Sequence, residues 1–432
     1  MTYHQQVIMF IADKTQNMDK KINVLVVPSD KFGVGLYRSV SPHTMLNTMY
    51  GDEFDVEIEY TPNWADLESF RKYDIIHFHK GIFSNMPQFW NALEFFKENG
   101  IVTVMDIDDY WVLPQTHPMY HQNKALGHQE MILKNIKMVD YVTTTTEIFA
   151  NKIRPHNKNV VVFQNAIDPT EGQYSQEKNP SSRIRFGFVM GSSHEKDMEL
   201  FNGVVGKLPK EILDKIQIVL CGFDTRGTIT MFGKDGSVVQ RRPIQPKESV
   251  WYRYEQNVTD NYRIISPEYK TFLERFTPNL QWPNVNNEAY RREWTKDISN
   301  FATHYKNVDV LIAPLDETDF NSVKSELKFI EAGFTKTAVI ASNFGPYTIG
   351  SKNMFLYGGE VDNTGNCILI DKRKAHKDFV KAIKKLVENP ELITTLQNNM
   401  YETVKEKYDI RNVTDRRAAW YKEIVQQEKR NA

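Results

Sequence analysis

The sequence predicts an α/β protein in two parts, each built from β-α-β units around a parallel sheet. Three observations predict it. Short apolar runs recur that suit strands covered on both faces, and amphipathic helix spacing follows them. In each half a glycine or small polar turn joins the first strand to its helix, at Gly33-Val34-Gly35 and at Gly191-Ser192-Ser193. A polar stretch, 169–182, separates the halves and reads as a linker. The divisions are therefore 1–175, 176–407 with an insertion near 225–285, and a terminal helical segment at 408–432.

Bulk composition narrows the function classes. The 432 residues carry a net charge of −1, so no broad basic field argues for nucleic acid. Cys221 and Cys367 are the only cysteines, each in an apparent strand, which predicts buried free thiols rather than a disulfide scaffold or a zinc site. No apolar run approaches the ~20 residues of a membrane span. The apolar run 7–12 is too short for a secretory leader and reads as an edge strand or a loose arm. A cytoplasmic protein is expected, with peripheral contact at the inner face of a membrane compatible with the sequence.

In the first half, 22–27 is a strand and 36–49 a helix, with the glycine turn between them. Arg38 stands where a dinucleotide fingerprint needs its third glycine, so the turn serves either backbone geometry or another ligand. Strands follow at 55–60, 74–79 and 101–106. His77 and His79 point to one side of their strand, but no third metal ligand has suitable spacing; contact with substrate or capping of the strand end remains. The next strand closes in Asp106-Ile107-Asp108-Asp109. Asp106 or Asp108 binds hydroxyls of a ligand, or the aspartates cap a loop. His117 belongs to the same wall. A helix at 126–139 and strands at 141–143 and 160–163 complete this half.

The second half opens with a strand at 184–189. Gly191, Ser192, His194 and Lys196 then sit at a strand-to-helix turn, which is anion-site geometry; the alternative is that His194 and Asp197 simply cap the helix. After a strand at 216–220, the next clear helix is expected near Tyr290. The intervening insertion interleaves aromatic and basic residues, suited either to a satellite core or to stacking a ligand. A strand at 308–313 leads to the richest stretch, 321–345. Leu327, Ile330 and Phe334 form an apolar stripe, while Lys324, Lys328 and Glu331 form a polar one. That polar stripe is either a solvated face or the wall of a crevice. Lys324 and Ser325 in the first helical turn can hold phosphate there, and Glu331 can accept from sugar hydroxyls. Helices at 374–388, 391–408 and 413–427 end the chain.

The string N-x-x-K-S-x-L-K-x-x-E-A-G from Asn321 to Gly333, followed by Gly345-Pro346-Tyr347, resembles the donor-binding region of GT-B nucleotide-sugar glycosyltransferases, nearest the GT4-like branch (glycosyl transferases group 1). The resemblance covers most of the chain outside 1–20 and 225–285. It implies two Rossmann-like domains facing across a cleft, with a C-terminal helix crossing back to the first. It also implies that the Gly33–Gly35 loop and Arg38 face that cleft, that Glu331 binds the donor ribose, and that Lys324 and Ser325 lie near the diphosphate. Lys196 matches the branch's diphosphate lysine, while Ser192 replaces its arginine, Val323 its first glutamate and Met105 its sugar-binding histidine. Glu326 lies near the missing glutamate. Lys196, Lys324 and Glu331 are then the catalytic candidates. Gly33, Gly35, Arg38, Asp106, Asp108, Gly191, Ser192, His194, Ser325, Glu326 and Lys328 are the substrate-binding ones.

The implied reaction is metal-independent, retaining transfer of a hexosyl or related group from a nucleotide-sugar, a co-substrate rather than a cofactor. The acceptor would be a carbohydrate, lipid-linked or protein-glycan hydroxyl in surface polysaccharide or glycoconjugate synthesis. A nucleotide-sugar epimerase and a non-catalytic sugar-nucleotide binding module are the alternatives.

Overall fold

The computed structural model describes residues 20–80, 86–117, 119–233, 237–278, 280–356 and 359–431. The apolar run 7–12 lies outside them. Two parallel six-stranded sheets are present. The first contains β1 (Ile22–Val27), β2 (Phe54–Ile58), β3 (Ile75–His79), β4 (Val102–Ile107), β5 (Tyr141–Thr144) and β6 (Val160–Val162), in the order β2-β1-β3-β4-β5-β6. The second uses β7 (Ile184–Val189), β8 (Ile216–Phe223), β11 (Tyr290–Trp294), β12 (Val310–Ala313), β13 (Ala338–Ser342) and β14 (Ile368–Ile370), in the order β11-β8-β7-β12-β13-β14. A two-stranded antiparallel hairpin, β9 (Thr228–Phe232) and β10 (Val238–Pro243), projects from the second domain.

The strands are parallel because both faces of each sheet are covered. Every residue of β3, β4, β8, β12 and β13 is buried, so these runs need no polar face. In the first domain Trp64, Phe70, Phe89 and Phe96 cover one face, with Trp64 edge-on to Phe89 at 5.0 Å. On the other, Val24, Val26 and Val104 meet Ala418, Tyr421, Ile424 and Val425 of the terminal helix Ile410–Asn431. That helix crosses back to the first domain as expected, and the Tyr421 hydroxyl lies 2.8 Å from His43 Nε2. Among the described residues, no helix is long and apolar enough to cross a membrane.

Winding reverses in both sheets. In the first the chain turns from β2 back past β1 to β3, and in the second from β11 and β8 back past β7 to β12. Ligands of doubly wound sheets bind outside the carboxyl ends of the strands at such a reversal. The segments that leave β7 and β12 are Met190–Asp197 and Pro314–Ser325, so the topology alone puts His194 and Lys324 at one crevice.

The insertion has its own elements. Trp251, Tyr254, Tyr262 and Tyr269 join the main apolar cluster of the second domain, so these aromatics serve the core, as part of the main one rather than as a satellite. Inside it, the fully buried Glu255 carboxylate accepts from Tyr262 (2.8 Å), Tyr290 (2.7 Å) and two nitrogens of Arg292 (2.6 and 2.8 Å). This network corrects one expectation. Residues 290–294 are a strand, not a helix, because Tyr290 and Arg292 are drawn to Glu255 while the backbone pairs with β8. Tertiary contacts override the helix preference of Arg and Glu here. A second correction concerns 319–334. A short helix, Asp319–Ser322, ends before the helix Leu327–Phe334 begins, so Lys324 and Ser325 lie in the break between them rather than in a first turn.

Glu255→Ala leaves Arg292 buried without its counter-charge. The expected loss is about 3–5 kcal/mol, read as a lowered urea midpoint of the second domain. An unchanged midpoint contradicts the structural role of the pair.

Candidate functional site

A cavity of about 380 Å³ lies between the two domains at the β7/β12 reversal. The second domain contributes Gly191, His194, Lys324, Ser325, Lys328 and Glu331, and the first contributes Gly33, Tyr37, Arg38, Asp108 and Asn165. Ile298 and Phe301 add an apolar wall.

His194 is the N-cap residue of the short helix Glu195–Glu199, and its Nδ1 lies 2.6 Å from Asp197 Oδ2. A carboxylate partner assigns the proton to Nδ1. The other oxygen of Asp197 accepts from the Asp316 backbone N–H (2.7 Å) and from Asn321 Nδ2 (2.8 Å). One buried carboxylate thus ties the turn after β7 to the loop after β12. Burial lowers His194 to about 4, with Lys324 and Lys328 pushing the same way against Asp197. The Lys328 ammonium donates to the Val189 carbonyl at 2.8 Å, and burial brings it down to about 8, Glu331 opposing and Lys324 assisting. Lys324 sits over the Phe320 ring at 4.9 Å. Basic groups whose charges discourage one another mark a place where an anion is favoured.

Glu331 is buried, with Oε1 accepting from Tyr37 (2.9 Å) and Oε2 from Tyr305 (3.0 Å). The Tyr37 hydroxyl also meets that of Tyr174 at 2.7 Å. Burial pushes the Glu331 carboxyl up, against the pull of Lys328. On the facing wall, Asp108 lies 2.9 Å from His79 Nε2 and 3.1 Å from Lys80 Nζ. Burial raises Asp108, but Lys80, His79 and Arg38 outweigh it and hold it well below the usual carboxylate range.

Five expected site residues are placed elsewhere. Lys196 is exposed on the outer face of its helix, 2.7 Å from Glu199 Oε1. His194 and Asp197 turn inward one helical turn apart, so Glu195 and Lys196 between them turn out. Ser192 opens onto a neighbouring cavity. Asp106 is fully buried, with its oxygens accepting from Arg38 (2.9 and 2.7 Å) and Thr143 (2.6 Å). Arg38 spends its remaining contacts on the Phe163 carbonyl and Asn165, so the pair is a strut behind the wall rather than a free ligand set. Gly35 is required by the turn, since a Cβ there would sit 2.0 Å from the Asp30 carbonyl oxygen. Glu326 is buried against the Tyr408 hydroxyl, 2.9 Å away.

Sequence reasoning gave no site role to Tyr37, Asn165 or Asp197. Asn165 Nδ2 donates to Ser325 Oγ at 2.9 Å and joins the domains. The spacing of three between His194 and Asp197 was the available signal for the dyad. Val323 packs into the first domain's apolar cluster. His79 bonds Asp108, while His77 packs on His43 with ring centroids 4.4 Å apart, so the two are not paired ligands. Both cysteines are buried and free. Among the described residues, Cys221, Glu293 and His304 could converge on a cation. Glu293 there already pairs with Arg291 (2.9 Å), His304 (3.0 Å) and Lys296 (3.6 Å), so the protein itself supplies the positive charge.

No family model matches the chain, and no curated protein matches it. Solved structures do. Sucrose-phosphate synthase from Thermosynechococcus elongatus superposes with a TM-score of 0.59 at 12% identity, over 94% of this chain and all of that one. Anabaena HepE, in complex with UDP and glucose, gives 0.58 at 10% identity, over 93% of this chain and all of that one. A glycosyltransferase from Rickettsia africae gives 0.58 at 13% identity, over 94% of this chain and 99% of that one. The fold is therefore the GT-B fold, two parallel-sheet α/β domains across a cleft.

An anion entering the cavity raises Lys328 from about 8 toward its ordinary value. The bound state favours the protonated amine, so affinity for inorganic pyrophosphate is greatest below pH 8 and declines as pH rises through it. Calorimetry in buffers of different ionisation enthalpy should show proton uptake at pH 8, absent in Lys328→Met. Binding with no uptake contradicts the assignment.

Proposed function

We propose that this protein is a glycosyltransferase that moves a sugar from a nucleotide-sugar donor to an acceptor hydroxyl. The observation that carries the reading is the convergence of Lys324, Lys328 and His194 at the β7/β12 reversal, beside the buried carboxylate of Glu331. Ammonium groups suit a diphosphate, the Nε2 lone pair of His194 suits a sugar hydroxyl, Glu331 suits ribose hydroxyls, and Ile298 with Phe301 suits the flat face of a base. The same fold in HepE holds UDP and glucose.

In this reading the anomeric carbon–oxygen bond to the diphosphate breaks, and its electron pair goes to the departing phosphate oxygen. The acceptor oxygen bonds to the anomeric carbon, and its proton passes to that phosphate. Lys324 and Lys328 meet the charge as it grows, the electrostatic contribution that usually dominates. With two lysines in that role the transfer needs no divalent cation, and a phosphate that takes the acceptor proton on its own face gives retention. The nucleotide-sugar is a co-substrate. Surface polysaccharide or glycoconjugate synthesis on the cytoplasmic side is the biological setting that the resemblance supports.

One observation favours a second reading. Val323, buried in apolar packing, stands where the GT4-like branch carries a glutamate, which suits a sugar-nucleotide binding module without turnover.

Steady-state kinetics over a panel of nucleotide-sugars decide between the two. Lys324→Ala should lower kcat by ~10²–10³ while changing KM less. Lys381→Ala, at an exposed lysine that lines neither cavity, should stay near wild type, because a surface lysine contributes under about 0.5 kcal/mol. Equal effects of the two substitutions, or no turnover with any donor despite tight binding, would remove the transferase reading. Turnover should also survive EDTA; loss on chelation with recovery on Mn²⁺ or Mg²⁺ assigns part of the charge stabilisation to a cation.

A further inference from the structure

A second cavity, about 650 Å³, opens beside the first. The two share a partition made of the turn His194–Asp197 and the segment Phe320–Lys324: His194 and Lys324 face the smaller cavity, Asp197, Phe320 and Asn321 the larger. The Phe320 ring packs against His117 of the first domain at 5.3 Å and under Lys324 at 4.9 Å, so it stands at the junction. The far wall comes from the insertion, where Arg226, Gly227 and Thr228 lead into the hairpin β9–β10. This gives the insertion a use beyond the core.

The lining decides what chemistry fits. Its cations are already engaged: Arg253 with Glu195 at 2.6 Å, Arg226 with Asp224 at 2.8 Å, and Lys196 with Glu199 at 2.7 Å. Carboxylates in the lining outnumber lysines and arginines five to three. A phosphate- or carboxylate-bearing polymer meets repulsion and finds no free cation. Hydroxyls of Thr116, Ser192, Ser193, Thr228 and Thr318 offer the donor-and-acceptor surface that uncharged sugars need.

We propose that this cavity is the acceptor site and that it takes an uncharged oligosaccharide, with the insertion as its outer wall. The assignment rests on the transferase reading for the name acceptor, but binding of the oligosaccharide does not. The acceptor hydroxyl would enter the smaller cavity past Phe320, where the two cavities meet, to reach the anomeric carbon and the phosphate.

The test uses the whole chain on an array that carries neutral hexose and N-acetylhexosamine oligomers beside phosphodiester and uronate polymers. One or more neutral oligomers should bind, and the polyanions should not. Two variants locate the site. Thr228→Trp fills the mouth from an exposed position. Excision of 228–243 is possible because the Ile244 N–H already reaches the Gly227 carbonyl at 3.1 Å. Each should weaken oligosaccharide binding by about tenfold or more, with pyrophosphate affinity in the smaller cavity unchanged. Unaltered oligosaccharide binding in Thr228→Trp, preference for a polyanion, or no neutral oligomer bound each overturns the proposal. Failure of pyrophosphate and nucleotide-sugars to bind the wild type overturns the transferase reading instead.

Discussion

The Asp197 carboxylate holds the second domain's crevice together. It sits where two oppositely wound halves of one sheet diverge, and loops leaving β7 and β12 would otherwise part company. Its two oxygens serve a histidine, a backbone amide and an asparagine, drawn from both loops. A buried carboxylate is tolerable only when so fully bonded. Its position fixes the imidazole orientation on one side and the path of 316–321 on the other. That path in turn sets where Lys324 emerges.

The opposite wall depends on a comparable device. Arg38 and Asp106 form a two-pronged, fully buried pair that clamps the glycine turn after β1 to β4, β5 and the end of β6. Such a pair gives little net stability against apolar packing of equal volume, yet breaking it is severe. Its value here is geometric. It keeps Gly33 and Tyr37 at the rim and sets Asp108 forward of it, where Lys80 balances the charge.

Much of this was legible in the sequence, and the reasons differ by element. Apolar runs such as 22–27 and 184–189 coincide with β1 and β7 because doubly covered strands have no polar face to blur them. The edge strand β11 was misread because its Arg-Arg-Glu segment finds its partners in Glu255 and His304, far along the chain. Helical spacing together with the family string groups Glu331, Lys328 and Lys324, and all three line the cavity between the domains. Asp106 reads as a substrate residue because polar residues at a strand end look alike whether they face a ligand or a neighbouring side chain, and here the neighbour is Arg38. Spacing shows which side a residue leaves the backbone, and it does not show what a long side chain meets. Lys196 illustrates this: it occupies the expected turn and opens onto the larger cavity instead.

The Tyr37–Glu331 contact joins a first-domain hydroxyl to a second-domain carboxylate, with Tyr174 of the linker completing the chain of hydroxyls. Each Glu331 oxygen takes one tyrosine hydroxyl and keeps capacity for another donor, so a hydroxyl bound there completes the coordination of a carboxylate already shared by both domains. The residue best placed to read a ligand is thus also one of the stitches that close the cleft around it.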